Sequence, residues 1–70
     1  MTRKMHRSDL VDMAIRLRKS KEEFVKIAMV LDMDEDFSGD VISLKLLIHD
    51  TDDVLNSIDN RITIIDFPKK

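Results

Sequence analysis

The side chains of this sequence that could do chemistry fall into three clusters. His49 stands beside Asp50, Asp52 and Asp53, the donor types that bind a divalent cation or relay a phosphoryl group. Asp32, Asp34 and Asp36, followed by Gly39, are laid out like the opening of a calcium-binding loop. That loop needs a glycine at its sharp turn and a bidentate acid to close it, and Phe37 and Ser43 occupy those places. Arg3, Lys4, Arg7, Arg16, Arg18, Lys19 and Lys21 form a basic N-terminal third able to meet phosphates. The aromatic residues are Phe24, Phe37 and Phe67 alone, which leaves that basic segment without a stacking platform for bases. His6 lies in the same basic segment, with no defined partner nearby in sequence.

Catalytic patterns are missing. There is no glycine-rich phosphate loop, no Ser-His-Asp ordering and no cysteine nucleophile. The expectation is a non-enzymatic protein with no cofactor and no metal, its charged clusters being solvated helix surface.

Seventy residues make one small domain, and without cysteine neither a disulfide nor a thiolate metal site can reinforce its core. No stretch reaches the roughly 20 apolar residues of a membrane span, and none has the form of a signal peptide; a cytoplasmic protein with no membrane association is expected. The net charge of −2 conceals a dipole. Residues 1–21 carry seven basic and two acidic side chains, a net +5, and residues 22–70 carry five basic and twelve acidic, a net −7.

The elements that must position these groups are written in an apolar heptad. Leu10, Met13, Leu17, Ser20, Phe24, Ile27 and Leu31 form one seam; Val41, Leu44, Ile48, Thr51, Leu55, Ile58 and Ile62 form another. Folded back at the acidic turn, the two pair layer by layer, with Ser20 falling opposite Thr51. The spacing predicts an all-α antiparallel helical hairpin that dimerises into a four-helix bundle. Its parts are a basic arm at 1–7, a first helix at 8–33 with Ser8 as cap, and an acidic turn at 34–39. A second helix at 40–60 follows, capped by Asp40 and closed by Asn60, with a short extended tail at 61–70. The alternation of Ile42, Leu44, Leu46 and Ile48 and the β-branched run at 61–67 allow a second architecture, α+β, with strands near 41–48 and 61–67.

The seams leave apolar residues over near the turn. Val25, Met29, Ile42, Leu46 and Leu47 lie off both, and a helix apolar on several sides is covered on several sides. These five are the expected partner-binding residues of a small regulatory or adaptor protein, a homodimer that also binds a protein partner. The alternative is a nucleic-acid-binding hairpin dimer using Arg16, Arg18 and Lys19.

Overall fold

The structure, a computed structural model, describes residues 5–68. Residues 1–4 of the expected basic arm, Lys69 and Lys70 lie outside them. Helix α1 spans Arg7–Leu31, a single 3-10 turn spans Glu35–Phe37, and helix α2 spans Ser38–Asp66. The hairpin is shown, and with it the all-α class: there is no strand among the described residues, so neither 41–48 nor 61–67 is extended.

α1 runs unbroken because its 25 residues contain no Gly or Pro and are dominated by strong helix formers. It begins before the expected Ser8 cap. His6 takes the extended cap conformation, and its N–H donates to Asp9 Oδ2 at 3.3 Å, so Asp9 serves both the cap and the positive end of the helix dipole. At the other end the Asp32 N–H donates to the Ala28 carbonyl at 2.9 Å and the Asp34 N–H to Leu31 at 3.0 Å. Asp34 then accepts from the Asp36 N–H at 2.9 Å, an Asx turn that starts the 3-10 segment. The link is therefore residues 32–37, as long as the expected 34–39 turn but two residues earlier in the chain. Gly39 and Asp40 already belong to the first turn of α2, and Gly39 has no positive φ.

α2 also outruns its expected end. Asn60 is helical, and the β-branched run that reads as an extended tail continues the helix to Asp66. The reason is tertiary. Ile62 packs in the seam, the Thr63 hydroxyl donates to the Asp59 carbonyl at 2.9 Å, and Arg7 holds Asp66. Together these outweigh a weak local preference. Phe67 gives the last helical hydrogen bond, to Thr63 at 2.8 Å, and Pro68 has no N–H with which to continue.

The seam of α2 is as expected: Val41, Thr51 and Leu55 are buried and Leu44, Ile48, Ile58 and Ile62 are half-buried. That of α1 is rotated. Leu10, Leu17, Phe24 and Leu31 face inward, but between them come Ala14, Lys21 and Ala28 rather than Met13, Ser20 and Ile27. Ala14 is the most enclosed residue of the hairpin at 2% exposure, and Ala28 is at 7%. Small side chains at these two layers let the helices approach closely. Ser20 is exposed and does not meet Thr51, whose hydroxyl instead donates along its own helix to Leu47 at 2.8 Å.

Candidate interaction surfaces

The seven-residue columns beside the seam give the two broad faces of this layer opposite characters. On one face α1 presents Arg18 and Val25, followed by Asp32 just past its end, and α2 presents Lys45, Asp52, Asp59 and Asp66. Cross-helix ion pairs close that face. Arg7 grips Asp66 through Nε at 2.6 Å and Nη2 at 3.0 Å, Arg18 Nη2 reaches both oxygens of Asp59 at 3.1 and 3.0 Å, and Lys21 meets Asp52. The hydrogen bond from Arg7 holds the Asp66 carboxyl below its ordinary range; lost hydration opposes it, and the positive charge of Arg7 adds a smaller lowering effect. The opposite face carries Met13, Ser20 and Ile27 on α1 and Leu47, Val54 and Arg61 on α2. Among the described residues no ion pair crosses the seam there.

The five expected partner-binding residues are all exposed but do not share one surface. Val25 (37%) and Met29 (66%) line a shallow groove on the ion-paired face with Ala28, Asp32, Lys45 and Ile48. Ile42 (61%) and Leu46 (63%) point outward from α2, away from α1, while Leu47 lies on the pair-free face. Ile27, Val54 and Ile65 are exposed apolar residues that the sequence did not single out as surface. Ile27 was masked by its good fit to the expected seam. Val54 stands seven residues beyond Leu47, and that spacing is the signal that could have found it.

The polar clusters are committed to local structure. Arg16 pairs with Asp12 at 3.2 Å and Arg18 with Asp59, so of the alternative nucleic-acid set two of three cations already face a carboxylate; Lys19 is exposed. Each such pair reduces the positive field a phosphate would meet. A larger groove, about 570 Å³, has Leu55 as its floor and the Arg18–Asp59 and Lys21–Asp52 pairs on its walls. His49 Nδ1 lies 3.6 Å from Asp53 Oδ2, and with Asp50 these donors fall within 4.8 Å of one another. All three are exposed on the outer side of α2, while Asp52 turns away to Lys21. In the acidic turn Asp34 is used by the Asx turn, and Ser43 is helical with its hydroxyl donating to the Gly39 carbonyl at 3.3 Å. A calcium loop would need those residues open and convergent.

No helix among the described residues is long and apolar enough to cross a membrane. Comparison with protein-family models, curated proteins and solved structures gives no match to this chain.

Proposed function

We propose that this chain is a small non-enzymatic regulatory or adaptor protein that acts by binding protein surfaces, including a second copy of itself, through exposed apolar helix faces. One observation carries this reading. Among the described residues, fifteen large apolar side chains are exposed and five apolar residues are buried, in a layer two helices wide. A folded domain ordinarily encloses its core between two layers, and a single layer supplies only half of that arrangement. Covering about 500 Å² of such surface contributes on the order of 12 kcal/mol before the costs of association.

The groove at Val25 and Met29 suits a partner helix, which would lay its own apolar residues along it, and the outward pair Ile42 and Leu46 offers a second, separate contact. The acidic turn beside them favours a partner with basic flanks. The absence of cysteine fits a reducing, cytoplasmic setting.

The test is capture of binding partners by the full chain from its native host at low and high salt. Binding retained in high salt and lost in Met29→Asp is the expected result. Capture of nucleic acid that falls steeply with salt, and that disappears in the double variant Arg16→Glu with Lys19→Glu, would replace this reading by the alternative. That double variant leaves the Arg18–Asp59 pair, and so the hairpin, intact.

A further inference from the structure

We infer that two copies of this chain pack through the pair-free face, running antiparallel, with the two-fold axis beside Ser20. The inference rests on the reading that the protein acts by association, and it names the surface and geometry used for the second copy.

The two faces of the layer are not equivalent. The ion-paired face is bridged by Arg7–Asp66, Arg18–Asp59 and Lys21–Asp52. The other bears Met13 and Ile27 on α1 and Leu47 and Val54 on α2, with half-buried Phe24 and Ile58 between them. These residues recur with the heptad spacing that a further pair of helices would require. Two layers joined here enclose a core between them, completing the architecture a single layer lacks.

Charge decides the orientation. If the copies run antiparallel about Ser20, α1 lies on α1 of the second copy, and residues equally distant from Ser20 come together. Met13 then meets Ile27, and Arg16 meets Glu23 within about one residue of register, or 1.5 Å. The same operation sets Leu47 against Ile58 and brings Val54 near its own counterpart. If the copies run parallel, α1 lies on α2 of the second copy. The ion pairs Lys21–Asp52 and Arg7–Asp66 fix the levels of the two helices, and at those levels Glu23 falls against Asp50, carboxylate on carboxylate. The antiparallel dimer has opposite charges at its rim where the parallel one has like charges. Ser20, out of place in an intramolecular seam, is a small residue where two α1 helices make their closest approach.

The size is adequate. A face two helices wide and about twenty residues long covers on the order of 600 Å² per copy, or about 1,200 Å² in total, the lower bound for stable specific interfaces. The chain exposes 6041 Å², whereas a compact monomer of 8.2 kDa exposes about 4,500 Å².

Because the chain has no cysteine, single-cysteine variants report the geometry directly. Under mild oxidation Ser20→Cys is expected to form a covalent dimer in at least about tenfold greater yield than Glu22→Cys, which lies on the ion-paired face. A mixture of Met13→Cys and Ile27→Cys should crosslink, and Met13→Cys alone should not. Light scattering should give twice the monomer mass. Val54→Glu, checked for helicity by circular dichroism, should raise the dimer dissociation constant by about tenfold or more, while Met29→Asp leaves it unchanged. Ile27→Asp repeats the test if Val54→Glu unfolds. A monomer at millimolar concentration overturns the inference, as does crosslinking of Glu22→Cys in place of Ser20→Cys. So does crosslinking of Glu23→Cys with Asp50→Cys, the parallel signature. Met29-dependent capture by a monomeric chain would sink the dimer and leave the proposed function standing; a Ser20-centred dimer that captures nothing would do the reverse.

Discussion

Arg7 in the first turn of α1 and Asp66 in the last turn of α2 are 59 positions apart and form a two-pronged pair, Nε to Oδ1 at 2.6 Å and Nη2 to Oδ2 at 3.0 Å. It is the outermost of the cross-helix pairs and ties the end of α2 to the start of α1. The donated hydrogen bonds and the charge of Arg7 lower the Asp66 carboxyl from its ordinary value of 3.8 and raise the guanidinium. A carboxyl lowered on folding contributes stability above its unfolded value and loses it as pH falls through the folded one. The arginine stays charged throughout, so the window lies wholly below about pH 4. Titration of Asp66 by carbon NMR should give a midpoint below 3.8, returning toward it in Arg7→Gln. Amide protection in Ile62–Asp66 should fall over the same range. Identical midpoints in the two proteins would show that the pair does not persist in solution.

Ala14 and Ala28 set how closely the helices approach. Enlarging either to leucine forces the helices apart at a buried layer, and a cost of about 1–3 kcal/mol is expected for each. Urea denaturation monitored by circular dichroism measures it. Ser20→Leu, the same kind of enlargement at a position exposed in the single hairpin, should change unfolding by no more than about 0.5 kcal/mol when measured at concentrations where the chain is monomeric. If Ser20 proves the costly site and Ala14 the tolerant one, the seam of α1 is the other heptad.

Gly39 takes helical dihedrals in the first turn of α2, and a β-carbon built there meets nothing within 4 Å. Gly39→Ala should therefore stabilise the hairpin, by a few tenths to about 1 kcal/mol, by narrowing the unfolded ensemble and favouring the helix. A rise in melting temperature is the observable. A fall would mean that the turn needs glycine's freedom after all.

Thr51 is buried, yet its hydroxyl serves only the Leu47 carbonyl of its own helix at 2.8 Å, an acceptor that the helical ladder also satisfies. Thr51→Val keeps the shape and removes a polar atom that crosses to nothing on α1. A change within about 0.5 kcal/mol is expected. A loss of 2 kcal/mol or more, on the scale of an unsatisfied buried group, would reveal a partner for this hydroxyl across the seam.

The all-α hairpin could be read from the heptads because α2 places large apolar residues at every seam layer but one. α1 misleads for a physical reason. At its alternate layers the sequence offers Met13 or Ala14, Ser20 or Lys21, Ile27 or Ala28, and ranking by hydrophobicity favours the larger apolar or the neutral residue. Packing favours alanine, because close approach of two backbones contributes more contact than a long side chain held at a distance. Lys21 fits beside the seam because its stem is apolar and its ammonium ends on Asp52. The helical tail was hidden similarly, since its cause is Asp66 meeting a residue at the other end of the chain. Exposure of the leftover apolar residues was legible, but the place of Val25 and Met29 on the ion-paired face was not, because it depends on that rotation of α1.

Because α1 begins and α2 ends at the same end of the rod, a load applied across those two points acts as on a zip fastener. It would strain Arg7–Asp66 first, then the layers at Leu10 and Ala14, and only afterwards Arg18–Asp59 and Lys21–Asp52. Each contact bears the force alone in its turn, and none is loaded in shear. A tether pulling there would open the molecule layer by layer at low force, whereas the same tether attached at the open end and at the acidic turn would meet both helices along their length.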